Sequence, residues 1–257
     1  MHIQDTATIK PHPTPTANQQ DLKTDSSTHV TITITTDASL PDNETTIPQQ
    51  TKPRPLYFAY GSNLSFTQMR LRCTCSPELS SKPVAIARLD HWRWLICNAG
   101  YANVVPPPEL RVGKEVEDGD DVPVSGDEDT VYGVLYEMDP RDERLLDGYE
   151  GVDHSSLPSR ATHKVPAHIR PTEQGRGEYN KWYVTATVTV WLDEEQRKRR
   201  KGNPIETLVY VDEERVKLGP PRDEYIPRMN RAIREAESLG FPKKWADGVM
   251  RKSIPLH

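Results

Sequence analysis

The sequence predicts an α+β fold, a small mixed, mostly antiparallel β-barrel with peripheral helices. Three observations carry this. Stretches of strand length, apolar or alternating, dominate the middle of the chain. Helical periodicity is confined to a few short segments. Strands and helices do not alternate regularly, which argues against a doubly wound parallel sheet.

The 257 residues leave room for one sizeable domain plus extra segments. Only 35% of them are hydrophobic and 23 are proline, so part of the chain must lie outside any core. Residues 1–52 are rich in Thr, Pro, Gln, Asp and Ser and are expected to form a disordered tail, with 53–257 as the domain. Val30 to Thr35 alternates like a strand but, standing alone, is expected to stay unpaired.

Leu56-Tyr57-Phe58-Ala59-Tyr60 reads as a short buried strand. Gly61-Ser62-Asn63 then makes a tight polar turn. Ser65-Phe66-Thr67-Gln68 has capping-box spacing, with Ser65 capping a helix and Gln68 reaching back. Such a turn can aim several backbone N–H groups at one point, and Gly61 permits a close approach. Pro83 to Cys97 is apolar and aromatic and suggests one long or bent strand. Gly100 to Val105 suggests a further strand entered through a glycine turn. Residues 115–130 carry eight carboxylates and no Lys or Arg, the mark of a solvated surface loop without calcium-loop spacing.

Val131 to Met138 is the next strand. Asp139-Pro140 starts a helix, with Asp142 and Glu143 in its first turn, and the helix should end near Gly151. Leu145, Leu146 and Tyr149 are expected to share its buried face. Glu150 falls at the negative end of the helix dipole, which together with burial would raise its pKa. Trp182 to Leu192 alternates along two usable faces, and 161–169 is a candidate to pair beside it. Arg197 to Lys201 reads as a basic loop. Thr207 to Val211 is a last strand. After Gly219-Pro220-Pro221, residues 224–239 place Ile226, Met229, Ile233, Ala236 and Leu239 at helical spacing, ended by Gly240 and Pro242.

Two segments go further than local structure. Tyr60-Gly61-Ser62-Asn63-Leu64 after a buried strand resembles the signature loop of the γ-glutamylcyclotransferase family. About ninety positions on, Leu146-Asp147-Gly148-Tyr149-Glu150-Gly151-Val152 resembles that family's catalytic segment. The resemblance covers roughly residues 54–255 and implies the same small barrel with a pocket at one end. It implies Glu150 as the catalytic acid/base. As substrate contacts it implies Tyr60, Gly61, Ser62, Asn63 and Leu64, with Tyr101, Ala102 and Asn103 from the following segment. Tyr210 and Tyr225, which flank the Pro-Pro turn, are candidates for a further contact, and each reads equally as a packed tyrosine with a satisfied hydroxyl.

The activity implied is intramolecular aminolysis. The α-amine of a γ-glutamyl group attacks its own γ-carbonyl, forming 5-oxoproline and releasing an amino acid or amine. No metal or organic cofactor is expected, and Cys73, Cys75, Cys97 and His91 lack usual zinc spacing. Two departures stand out. Relatives often carry a tyrosine a few residues after the glutamate, where this chain has His154. Glutathione-specific cyclotransferases carry another residue in place of Asn63, which favours the branch acting on γ-glutamyl amino acids. A relative that removes γ-glutamyl from a glutathione adduct in secondary metabolism, and a non-catalytic binding module on the same fold, are the alternatives.

The expected partner is a small γ-glutamyl substrate. The net charge of -5 argues against nucleic acid. No apolar run is long enough to span a bilayer. Three cysteines cannot form a disulfide framework, and residues 1–53 carry neither an apolar signal core nor an arginine, so a cytoplasmic setting is expected. The oligomeric state, a homodimer included, is left open.

Overall fold

A computed structural model of the protein describes residues 53–112, 130–160, 165–200 and 202–256. The expected tail and its Val30–Thr35 stretch, the acidic run up to 129 and Lys201 lie outside the described residues.

Five strands close into a barrel in the order β1, β5, β2, β6, β7. They are β1 (Leu56–Ala59), β2 (Pro83–Asp90), β5 (Thr130–Tyr136), β6 (Asn180–Trp191) and β7 (Ile205–Val211). Four seams are antiparallel and the closing seam, β7 to β1, is parallel. Among the described residues, closure leaves the barrel itself without an unpaired strand edge. β1 pairs on both sides and all four of its residues are buried, which accounts for its unbroken apolar run. On β5, Gly133 lies against it. A Cβ there would sit 2.5 Å from the Phe58 ring and 2.7 Å from the Ala59 carbonyl oxygen, so only glycine fits. Along β6, Trp182, Val184, Ala186 and Val188 are buried as the alternation predicts, whereas Val190 near the strand end is exposed.

The stretch from Pro83 to Cys97 is two strands, not one. β2 belongs to the barrel; β3 (Arg93–Ile96) pairs with β4 (Ala102–Val105) in a separate two-stranded sheet. His91 makes the break with a φ of 67°, a left-handed turn at a residue that carries no glycine signal.

The helices flank the barrel. α1 (Phe66–Arg72) follows a single 3₁₀ turn, and the Ser65 hydroxyl caps it by accepting from the Gln68 N–H at 3.0 Å. The capping box is only half formed, because the Gln68 side chain accepts from Arg231 instead. α2 (Pro77–Ser80) is one turn. α3 (Pro140–Tyr149) is capped by Asp139, as its sequence predicts. Its buried face differs from expectation: Leu145 and Tyr149 are exposed, and beside Leu146 the helix buries Asp142 and Asp147. The first three residues of the basic run, Arg197 to Arg199, form the last turn of α4 (Glu194–Arg199) rather than a loop, since Asp193 caps the helix and Glu194 and Glu195 sit in its first turn. Of the candidate pairing stretch 161–169, residues 161–164 lie outside the described residues and 165–169 form no strand, although the Ile169 carbonyl accepts from the Tyr183 N–H at 2.7 Å. α5 (Tyr225–Ser238) buries the predicted apolar positions Ile226, Met229, Ile233 and Ala236. α6 (Lys243–Gly248) completes the set. No helix among the described residues is long and apolar enough to cross a membrane.

Candidate active site

β1 runs out at Tyr60, and the chain turns through Gly61 into the 3₁₀ turn Ser62–Leu64, closed by the Leu64 N–H on the Gly61 carbonyl at 3.0 Å. This turn forms one wall of a cavity of about 250 Å³. The end of α1 supplies Arg72 and the end of α3 supplies Glu150. α5 supplies Tyr225 and Arg228.

Two buried carboxylates hold α3 in place. Asp142 accepts from the Cys75 N–H, the Ser76 N–H and the Ser80 hydroxyl, each at 2.8 Å, which ties α3 to the segment after α1. Asp147 accepts from the Tyr210 hydroxyl at 2.6 Å and pairs with Lys181 at 3.0 Å. Hydrogen bonds to a charged group are worth about 1.5–3 kcal/mol each, so the helix end carrying Glu150 is firmly placed.

Glu150 is the C-cap of α3. Its carboxylate is asymmetric. Oε1 accepts from Arg72 at 2.9 Å and from the Asn63 Nδ2 at 3.1 Å. Among the described residues Oε2 accepts no hydrogen bond. Arg72 also donates to the Asn63 Oδ1 at 3.2 Å, and its guanidinium lies 4.9 Å from the Tyr149 ring centre. The Asn63 amide further donates to the Tyr57 hydroxyl at 2.9 Å. The Glu150 side chain is 16% exposed, towards the cavity. Burial raises its pKa, opposed by the positive charge of Arg72, by the hydrogen bonds from Asn63 and Arg72 and by Arg228; burial prevails.

The second polar feature is the Tyr225 hydroxyl. It accepts from the Ser62 N–H at 3.3 Å and the Ala102 N–H at 3.4 Å. A Cβ on Gly61 would stand 2.9 Å from this oxygen, so glycine is needed for the approach. With both lone pairs engaged, the hydroxyl is left as a donor, and it meets no acceptor among the described residues. Burial pushes its pKa up to about 12 against the two N–H groups, so it keeps its proton at neutral pH.

Searches for matching protein families and for similar curated proteins return none. Among solved structures the chain is similar to the crystal structure of YkqA from Bacillus subtilis, with a TM-score of 0.42 and 16% identity, covering 72% of this chain and 52% of that one. The chain thus spans about half the length of YkqA.

Most residues expected at the site are brought together. Glu150, Gly61, Ser62 and Asn63 line the cavity, as do Tyr60, Tyr101, Ala102, Tyr210 and Tyr225. Two do not. Leu64 is fully buried, with its N–H turned back onto Gly61. Asn103 is fully buried and ties down the loop after β7 by donating to the Asp212 and Arg215 carbonyls at 2.9 and 3.1 Å. Ala102 and Asn103 are neighbours on one strand, so they face opposite ways. Two of the lining tyrosines commit their hydroxyl protons within the protein. Tyr60 donates to the Tyr210 carbonyl and Tyr210 to Asp147, each at 2.6 Å. Of the backbone N–H groups expected to point outward from the Gly61–Leu64 turn, two are engaged within the protein: the Ser62 N–H by Tyr225 and the Leu64 N–H by Gly61.

His154 does not line the cavity; it is 57% exposed and lies 3.5 Å from Asp147. A tyrosine from elsewhere does line it: Tyr179, just before β6, donates to the Ala102 carbonyl at 2.8 Å. Sequence reasoning missed Tyr179, together with Tyr57, Arg72, Tyr149, Glu178, Arg222 and Arg228. Tyr179 shares the parity of Tyr183, which does not line this cavity, so the alternation of β6 gives no pointer to it. Arg72 is one basic residue at a helix end and carries no local signal. Among the described residues no three His, Cys, Asp or Glu side chains gather into a metal site.

Proposed function

We propose that this protein closes the glutamyl part of a γ-glutamyl compound on itself, yielding 5-oxoproline and a free amine-bearing product. One observation carries the reading. A largely buried glutamate, with one oxygen held and the other open, shares a small cavity with a tyrosine left as a donor. The resemblance of the Tyr60–Leu64 and Leu146–Val152 segments to γ-glutamylcyclotransferases supports it, because both segments meet at this cavity.

The substrate α-amine attacks the γ-carbonyl carbon and a new C–N bond closes a five-membered ring. Glu150, through Oε2, takes the proton that the attacking nitrogen loses. The carbonyl oxygen gains negative charge and receives the hydrogen bond of the Tyr225 hydroxyl. As the carbonyl re-forms, the bond to the leaving nitrogen breaks, and Glu150 returns its proton to that nitrogen. No water is consumed. The raised pKa of Glu150 suits a group that must first accept and then give a proton near neutrality, a role worth about 10²–10⁴-fold. Enclosure of the curled substrate supplies the near-attack geometry that ring closure needs.

The test is incubation with γ-glutamyl-alanine, glutathione and a glutathione S-conjugate while 5-oxoproline is followed. Release from γ-glutamyl-alanine is expected. Release from none of the three overturns the reading.

A further inference from the structure

The mouth of the cavity carries charge that the chemistry above does not use. Arg222, on the loop before α5, and Arg228, on α5, both line it. The Arg222 guanidinium lies 4.8 Å from the Tyr101 ring centre; that of Arg228 lies 6.0 Å from the same centre and 5.0 Å from that of Tyr225. Arg222 uses its Nε to donate to the Ala99 carbonyl at 2.9 Å, which leaves its terminal nitrogens available. Arg228 is less satisfied. Its Nε is buried without a hydrogen-bond partner, and its nearest carboxylate, Glu224, stands 3.6 Å away and also accepts from the Tyr101 hydroxyl. The third arginine of the cavity, Arg72, is matched to Glu150.

Depth decides what these two arginines meet. Glu150 and Tyr225 lie deep, with the Glu150 side chain 16% exposed and Tyr225 4% exposed. The carbonyl under attack therefore sits deep. Arg222 is exposed and the Arg228 side chain is 30% exposed, so both stand where the departing part of the substrate must lie. Planar guanidinium groups with unused donors, steadied over aromatic rings, suit a carboxylate.

We propose that Arg222 and Arg228 form a subsite for the carboxylate of the leaving amino acid, so that the protein selects γ-glutamyl amino acids and peptides over γ-glutamyl amides of neutral amines. This rests on the reading of the site given above and adds the class of leaving group.

The experiment separates the two. Glu150→Gln protein, made to hold substrate without turning it over, is titrated calorimetrically with γ-glutamyl-alanine and with γ-glutamyl-ethylamide, which differ only by the carboxylate. The alanine compound is expected to bind about ten- to hundred-fold more tightly, the range for one or two charge-assisted hydrogen bonds. Adding Arg228→Met, which keeps the side-chain stem, should bring the ratio close to one, and Arg228→Lys should restore part of it. Thermal melts of each variant identify any that fail to fold, and Arg222→Met serves in place of such a variant. A preference that depends on either arginine supports the subsite even if the wild type releases no 5-oxoproline. Equal affinities, or a ratio that both methionine variants leave unchanged, overturn the subsite alone. Failure of both compounds to bind overturns the subsite and the cyclotransferase reading together.

Discussion

Glu150 and Glu213 are both held by an arginine inside this molecule, and their surroundings differ oxygen by oxygen. Glu213, just beyond β7, accepts from the Arg170 Nε at 2.7 Å, the Asn180 amide at 2.8 Å and the Trp182 indole at 2.8 Å, all on Oε1. Its Oε2 accepts from a terminal Arg170 nitrogen at 2.7 Å. Only 3% of its side chain is exposed. Glu150 has two donors, both on one oxygen, and opens towards a cavity. A saturated carboxylate has no room for another proton partner and serves to hold segments together. A half-satisfied one keeps a lone pair for a ligand. The difference lies in the donors around each pair, not in the arginine and glutamate themselves.

Breaking each pair should therefore damage different properties. Glu150→Gln is expected to lower 5-oxoproline release by about 10²–10⁴-fold, measured as kcat on γ-glutamyl-alanine, with little change in melting temperature. Arg170→Met should leave a buried, unpaired carboxylate and cost about 3–5 kcal/mol of stability, read from urea unfolding. If Glu150→Gln proved as destabilising as Arg170→Met, the contrast between the two pairs would fail. Next in size, Tyr225→Phe removes the proposed donor to the oxyanion and should lower kcat about 10²–10³-fold with a smaller effect on KM.

Two pH experiments sharpen the contrast. Arg72 holds the Glu150 pKa down against burial, so Arg72→Met should move the acid limb of the kcat/KM profile to higher pH. A purely structural Arg72 would scale the profile without shifting it. The smallest effect concerns stability. The folded-state pKa of Glu150 is raised above its ordinary value of 4.5. Its contribution to stability is thus fully present below that value and is lost as pH rises through the raised one. Glu150→Gln should accordingly gain stability relative to the wild type as pH rises through that window, in paired urea titrations.

What could be read from the sequence follows from how local each signal is. Ser65 as a cap, Asp139-Pro140 as a helix start and Gly240 as a stop are decided within a few residues, and each is where the pattern puts it. The alternation of β6 fixes its faces for the same reason. The division of β2 from β3 is not legible in the sequence because His91, not glycine, takes the left-handed conformation. The buried face of α3 is not legible either, because Asp142 and Asp147 are buried by partners far along the chain: Cys75, Ser76 and Ser80 for the first, Lys181 and Tyr210 for the second. Arg72 and Tyr179 belong to the cavity only through tertiary contacts, and a single sequence carries no periodicity for those. The expectation of a backbone nest treated the turn as an isolated peptide, whereas in the folded chain the Tyr225 hydroxyl engages the Ser62 N–H.

In the proposed ring closure the open oxygen of Glu150 moves the proton. The time course of 5-oxoproline from γ-glutamyl-alanine with wild-type and Glu150→Gln protein at equal concentration, both checked as folded, tests this. Steady release by the wild type and a loss of about a hundredfold or more in the variant is the predicted result. Equal release from both, or none from the wild type, would contradict it.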